Sequence, residues 1–520
     1  MTGGDTPEAR TLSPGDWIGF AGMILGVFMA ILDIQIVSSS LQQIQAGLSA
    51  TRDEITWVTT SYLIAEVVVI PLSGWLASVL STRYLFTLGA AGFTVTSLLC
   101  ALATDLPTMI IARVLQGIFG GVMIPTVFSV IYVMFPPRLQ TPVTAVAGLV
   151  VTMAPTAGPV LGGYLTETWS WHALFLVNLI PGVLVALCSF LFVHVDKPRW
   201  ALLRNADVPG IVFISLFLGS LQFVLEEGVR KQWFESLEIV FFSGLALFGA
   251  IAMVARAFTT AHPVVDLRAF RNLNFTVGCT YSFVFGVGIY TVLYLVPIYL
   301  GAVKGLNSLQ IGQYLVVTGM FQFLSAMVAG AAARWLDSRV MLTLGLGLYG
   351  LGSWLGGMMN FDWGYWEFFL PQAIRGFSMM FIFLPINALA LGTLAPLEVP
   401  NASGLFNLMR NLGGAIGLAV SNTMILRLQK ENYGQLREGV TAANPETQRA
   451  LEFFSTLDSA HMLPAPDLSG IARLTQLAWR EADLITFNQM FHNLGTLFLV
   501  SLILMPLVRK VSLNSAGPAH

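Results

Sequence analysis

Runs of about 20 apolar residues recur along this chain with little more than a turn between most of them, and no other feature restricts the fold as strongly. A hydrocarbon core about 30 Å thick is crossed by about 20 helical residues, and a helix satisfies its own backbone hydrogen bonds where water is absent. Such runs lie near 17–40, 54–80, 84–105, 108–134, 139–165, 171–194, 206–227, 236–259, 273–301, 309–334, 339–360, 364–392, 400–428 and 486–508. They predict an all-α polytopic membrane protein with fourteen transmembrane helices. Hydrophobic residues make up 55% and charged residues 10% of the chain, with a mean hydropathy of +0.74. Soluble domains carry roughly 25% charged residues, so a soluble enzyme is excluded.

The polar start, Met1 to Asp16, has no basic segment ahead of the first run, which is therefore expected to be a retained span and not a cleaved leader. A formal charge of -2 offers no basic field for nucleic acid. Cys100, Cys188 and Cys279 lie inside apolar runs without metal-ligand spacing and read as small core residues, so no metal is expected. No Gly-rich loop ending in GK[ST] is present for ATP, and no His-Glu-x-x-His or Gly-x-Ser-x-Gly element supports hydrolysis. The expectation is a non-enzyme without a cofactor, and ATP drive is disfavoured.

Basic residues orient the chain, because short cytoplasmic loops hold the excess of Lys and Arg. With the N-terminus inside, thirteen fall on the inner side: Arg10, Arg83, Arg138, Lys197, Arg199, Arg204, Arg256, Arg268, Arg271, Arg334, Arg339, Arg509 and Lys510. Four fall in short outer loops: Arg52, Arg230, Lys231 and Lys304. An even number of crossings returns the C-terminus to the cytoplasm.

Internal repetition suggests two related halves. Gly74 precedes Arg83 by nine residues and Gly330 precedes Arg339 by nine. Arg113, Gly117 and Pro125 are loosely echoed by Arg375, Gly376 and Pro385. Both offsets equal eight helices, as two six-helix halves would give if two helices were inserted between them, although Gly-Arg coincidences also arise by chance in a Gly-rich chain. The division is then a tail at 1–16, a half at 17–194, an inserted pair at 206–259, a half at 273–508 that contains the long segment 429–485, and a tail at 509–520.

Three motifs carry a family resemblance. Thr152-Met-Ala-Pro155-Thr-Ala-Gly158-Pro159-Val-Leu-Gly162-Gly163 resembles the fifth-helix antiporter motif of major facilitator drug exporters. Ala112-Arg113-Val-Leu-Gln116-Gly117 resembles their fourth-helix motif, and Ile31-Leu32-Asp33-Ile-Gln35-Ile36-Val37 resembles the first-helix signature of the fourteen-span drug:proton antiporters. The likeness continues through Trp169 to Gly182, with Asn178 inside it, and through Asn401 to Gly414 with Arg410. It covers nearly the whole chain and is nearest to the EmrB type of the EmrB/QacA family. The resemblance implies the major facilitator fold, proton-coupled efflux of amphipathic drugs across a bacterial inner membrane, and work beside a periplasmic membrane-fusion adaptor and an outer-membrane channel. The chain departs from the pattern at Ser78, where the loop motif usually has Asp, at His172, where Arg is common, and at Ser38-Ser39-Ser40. A charge-based lock is thus weakened after the second helix, whereas Asp337 between Arg334 and Arg339 retains one in the second half.

The residues themselves support a mechanism. Ala154, Gly158 and Gly162 recur every four residues and form a groove for close helix approach, while Pro155 and Pro159 remove backbone donors and bend the helix. This suits a rocking interface between the halves, or plain small-residue packing. A charge at the bilayer centre costs at least about 2.5 to 3.5 kcal/mol, so Asp33, Glu66, Arg113, Arg375 and Arg410 call for a reason. Asp33 and Arg113 share a depth of about 10 Å. They form either a static buried pair or a switch, in which loss of the pair leaves the carboxylate to take up a proton. Glu66, near the midplane, is a second proton carrier, a selector of cationic substrates, or a neutral structural acid. Gln35, Met123, Tyr290, Tyr294, Gln322, Asn387 and Asn407 are candidates for a mostly apolar substrate cavity. Gly74, Arg83, Asp337 and Arg339 are candidates for gating. Segment 429–485 carries helix signals, with Asn444 as a cap before Pro445 and with Ile471, Leu474, Leu477 and Ala478 along one face. Two alternatives to drug efflux are a proton-coupled transporter of one metabolite and a non-transporting membrane sensor or scaffold.

Overall fold

A computed structural model describes residues 12–260, 263–441, 444–460 and 466–509. Most of both expected tails, 1–11 and 510–520, lies outside the described residues. Among those described the regular structure is helical, and twelve helices are long and apolar enough to cross a membrane. In chain order α1 is Pro14–Ser39, α2 Asp53–Leu80, α3 Thr82–Ala101, α4 Leu106–Met134, α5 Pro137–Thr168, α6 Ala173–Phe192, α7 Val208–Glu227, α8 Leu237–Thr259, α9 Leu273–Val303 and α10 Ser308–Ala332. They are followed by α11 Ser338–Gly356, α12 Tyr365–Leu391, α13 Val399–Gly439, α14 Pro445–Ala460 and α15 Pro466–Ser501.

The two expected spans outside the twelve are α11 and α13. Both are helices at the expected places, but glycines in α11 and asparagines with Arg410 in α13 dilute their apolar character. Their buried faces meet other helices in place of lipid, so those faces need not be apolar.

Local chemistry fixes the boundaries. Ser13 and Asp16 form a reciprocal cap that opens α1, and Asp105 accepts from the Thr108 backbone N–H at 2.9 Å to open α4. α4 turns at Val122, and Pro125, three residues on, has no N–H for the Gly121 carbonyl. α2 tightens to a 3-10 turn at Ile70–Leu72, around Pro71.

The packing repeats itself. In the first half α1 lies on α5 and α6, α2 on α4, and α3 on α4 and α6. In the second, α9 lies on α13, α10 on α12, and α11 on α12 and α15. The seam obeys the same pairing, since α5 meets α10 as α13 meets α2, and α4 meets α13 as α12 meets α5. Helices α7 and α8 pack on each other, with α7 touching α2 and α13 at the edge of the bundle.

Segment 429–485 is largely helical. α13 runs on to Gly439 and α15 starts well before its apolar part, so the two extend as a helical hairpin carrying α14. Tyr433 stacks on Trp479 at 4.0 Å, Gln429 donates to Asp483 at 2.8 Å, and Asn432 donates to Thr486 at 2.9 Å. Asn444 caps α14 by accepting from the Glu446 N–H at 3.0 Å, as its position before Pro445 predicts.

Candidate functional site

Asp33 and Arg113 meet in the middle of the first half. Their carboxylate and guanidinium are 2.6 Å apart, and neither side chain is exposed. A lone charge there is costly, and the surroundings supply what water would have supplied. Asp33 Oδ1 accepts from Asn178 at 2.8 Å and from Gln116 at 3.3 Å. Arg113 Nε donates to the Val58 carbonyl at 2.9 Å, and its Nη1 also donates to Gln116 Oε1 at 2.6 Å. Gln116 in turn donates to Ser97 at 2.8 Å. The guanidinium lies 4.3 Å from the Tyr62 ring and 5.9 Å from that of Phe175.

This network ties α1, α2, α3, α4 and α6 together through one carboxylate. The ionised form of Asp33 is satisfied by donors on two other helices. A proton on Asp33 would remove the counter-charge of Arg113 and weaken all of these charge-assisted links together. Arg113 Nη2 has no hydrogen-bond partner among the described residues, so the guanidinium has capacity left for a second arrangement.

A second constellation lies on the seam. Glu66, one helical turn beyond Tyr62, is 4% exposed and packs against Gly121 of α4, and its carboxylate accepts no hydrogen bond among the described residues. Arg410 of α13 and Arg113 are within its electrostatic reach. Arg410 donates to Asn407 at 2.7 Å and lies 5.8 Å from the Phe128 ring, while Tyr290 of α9 is near both Arg410 and Glu66. Phe383 of α12 closes the seam, 5.8 Å from Phe128 and 6.0 Å from Phe285. Opposite charges and aromatic faces from both halves thus converge at mid-depth.

Residues 23–418 match the Major Facilitator Superfamily family model. The chain is 40% identical to the colistin resistance protein EmrB of Acinetobacter baumannii over 82% of this chain and 84% of that one. The chain belongs to the major facilitator superfamily, as an EmrB-type permease. It is also 30% identical to the multidrug export protein EmrB of Escherichia coli K12 over 92% of each chain. Solved structures agree on the fold. The proton:xylose symporter XylE superposes with a TM-score of 0.63 at 12% identity, covering 96% of this chain and 97% of that one. The human organic anion transporter MFSD10 gives 0.59 at 15%, covering 95% and 100%.

Within this major facilitator frame the other sequence candidates separate. Gly158 and Gly162 lie against Gln35, Ile36 and Ser39 of α1, so the small-residue groove of α5 seats a helix of its own half. Across the seam α5 uses Gly148 against Phe383 and Val160 against Gly312 instead. The surface that α5 shares with the other half therefore lies on a different face from the groove. Pro155 is buried, and Pro159 and Gly163 are half-buried on the same helix. Gly74 does meet the other half, because a Cβ there would lie 2.6 Å from the Pro400 carbonyl carbon and from Asn401 Cα.

The charged gating candidates make local contacts. Arg83 meets His194 at 3.1 Å and the Phe190 ring at 4.5 Å, both in its own half. Asp337 caps α11 through the Arg339 N–H at 3.1 Å, and the Ser78 hydroxyl donates to the Gly74 carbonyl of its own helix at 3.1 Å. Asp196, which sequence reasoning passed over, accepts from the Thr82 N–H at 2.8 Å, and burial pushes its carboxyl above the ordinary range.

Of the cavity candidates, Tyr290 and Asn407 join Glu66 and Arg410. Met123 packs beside Gly89 of α3, Gln35 fills the α5 groove, and the Tyr294 hydroxyl donates to Asn422 at 3.0 Å. Asn387 donates to the Phe383 carbonyl of its own helix at 2.8 Å. Gln322 shares a face with Thr318 and Ser325, which bond across to α12, and so lies in the α10–α12 contact. The sequence reading assigned no role to Gln116 or Asn178. Their signal was a polar side chain in an apolar run, one of them a helical turn after Arg113.

Proposed function

We propose that this permease exports hydrophobic or amphipathic toxic compounds across the bacterial inner membrane in exchange for protons, by alternating access. Relatives named for multidrug export and colistin resistance support the efflux reading. The observation that carries proton coupling is the fully buried Asp33–Arg113 pair, bonded across the helices of one half. When Asp33 is ionised the network holds those helices in register. When it takes a proton the helices lose their common anchor and can repack, and an alternating-access cycle needs such a bistable element.

The aromatic seam with Glu66 and Arg410 suits substrates that are largely apolar and carry a few polar or charged groups. Both termini are taken to be cytoplasmic on the basic-residue asymmetry, and the helical hairpin of α13 and α15 then faces the periplasm. There it is the proposed docking element for a membrane-fusion adaptor leading to an outer-membrane channel.

The test is substrate-driven proton movement in proteoliposomes of the purified protein, with substrate binding measured on the same preparation. A pH signal that appears on substrate addition, and is lost in Asp33→Asn while binding persists, supports the reading. Transport that ignores the pH gradient sinks it. For docking, deletion of 445–460 is expected to abolish adaptor co-purification, and undiminished co-purification and resistance would refute that part.

A further inference from the structure

The second half contains a counterpart of the Arg113 network, and in it the carboxylate is missing. Arg375 of α12 is 2% exposed, nearly as fully buried as Arg113, and lies about 15 Å into its helix. Its Nη2 donates to Gln372 Oε1 at 2.7 Å, as Arg113 does to Gln116. Its guanidinium lies 5.0 Å from the Phe491 ring of α15, as that of Arg113 lies near Phe175 of α6. Gly352 and Gly356 of α11 make room for it, their absent Cβ atoms falling 2.9 Å from Arg375 Cγ and 3.5 Å from Nη1.

Five buried donors around this guanidinium have no partner among the described residues: Arg375 Nε and Nη1, Gln372 Nε2, the Ser353 hydroxyl and the Tyr349 hydroxyl. Tyr349, Gly352, Ser353 and Gly356 form one stripe on α11, spaced i, i+3, i+4 and i+7, and Tyr349 is within electrostatic reach of Arg375. No carboxylate pairs with Arg375 among the described residues. Helices α9, α10 and α11 contain no Asp or Glu, and Glu367, the one acid of α12, stands two turns away from Arg375. Where α9 approaches this stripe it presents Gly288, beside Tyr349.

A guanidinium cannot shed its proton in a protein, so the charge stays. Neutral donors and water leave it uncompensated in a low-dielectric interior, and a small anion accepts from several donors at once. We propose that the unpartnered donors of α11 and α12, backed by α10 and α15, bind a monovalent inorganic anion of chloride size, which takes in the second half the place that the Asp33 carboxylate takes in the first. The donor set selects an anion over a cation, and the burial of all five donors selects a small one.

The purified full-length permease tests this by thermal unfolding, followed through tryptophan fluorescence, in chloride, bromide or gluconate at one ionic strength. The wild type is expected to melt several degrees higher in chloride and bromide than in gluconate, since a ligand of the native state stabilises by mass action. Arg375→Gln is expected to lose the halide shift. Gln372→Glu places a carboxylate beside the guanidinium and keeps the bonds that Gln372 Oε1 accepts from Arg375 and Thr318. It is expected to melt in gluconate at least as high as the wild type in chloride, with no further response to halide. Equal melting of the wild type in chloride and gluconate, the result for a pocket filled by water, overturns the proposal. So does a halide shift that persists undiminished in Gln372→Glu, which would mark a general salt effect.

Discussion

Arg113 and Arg375 lie on corresponding helices of halves that pack by the same pairing rules, yet one is held by a carboxylate and the other is not. Each is bonded to a glutamine three residues away, backed by a phenylalanine, and set on a helix whose next residue or next turn carries a glycine against the neighbouring backbone. Only the first has an acid, Asp33, with Asn178 to hold it. Two halves can therefore share a scaffold and divide the chemistry. The first contains a carboxylate that is able to take up a proton, whereas the second keeps a fixed positive charge. On the reading proposed above, proton sensing belongs to one side of the seam, and the other side is moved by it.

Four tests would break or sharpen this contrast. Arg113→Ala is expected to cost most, because it leaves Asp33 buried without a counter-charge, a loss on the order of 3–5 kcal/mol. Arg375→Ala should cost less, since it strands no acid. Thermal unfolding of the two purified variants compares them, and equal losses would erase the asymmetry. Asp33→Asn comes next in effect. It preserves shape and most hydrogen bonding but leaves Arg113 without its counter-charge, so the protein should still fold with a loss of about 3 kcal/mol, at the low end of that range, yet exchange driven by a pH gradient should vanish. Wild-type antiport from this variant would move the coupling site elsewhere, with Glu66 the next candidate.

Asn178→Ala removes one donor from Asp33 at a cost of roughly 1–3 kcal/mol. The pH at which transport reaches half its maximum should shift in this variant and stay put in Gln372→Ala, which touches only the second half. If both profiles move together, the network acts through packing alone. Glu66→Gln should have the smallest effect on turnover. It is expected to lower the preference for cationic over neutral substrates several-fold in a competition assay, and unchanged selectivity would make Glu66 a structural acid.

The helices were legible because lipid leaves few options. An apolar run of the right length in hydrocarbon has to be a helix, and twelve of the fourteen expected spans match a structural helix to within a few residues. The Asp33–Arg113 contact was legible for the same reason, since two opposite charges at one depth gain so much by meeting. Direction around a helix was harder to read. The α5 groove faces α1 and not the other half, because a spacing of four residues marks a stripe without naming its neighbour. Most cavity candidates were likewise mid-span polar residues, and depth does not distinguish a side chain on the seam, such as Tyr290, from one facing its own half, such as Met123. Segment 429–485 was misjudged at its first end, where α13 continues to Gly439 on polar sequence, whereas the stripe from Ile471 to Ala478 does lie on a helix, α15, joined to α13 by the Tyr433–Trp479 stack and the bonds beside it.

The length of α13 has a mechanical consequence. Its 41 residues make one rod of about 60 Å, twice the thickness of the hydrocarbon, with Asn407 and Arg410 near one end and Tyr433 near the other. A tilt of about 10° at the seam carries a point about 30 Å further along the rod through roughly 5 Å. A rearrangement of a few ångströms around Arg410 is thereby amplified at the tip as a stroke of comparable or larger size. What touches the hairpin would then feel the state of the seam directly, with no separate messenger.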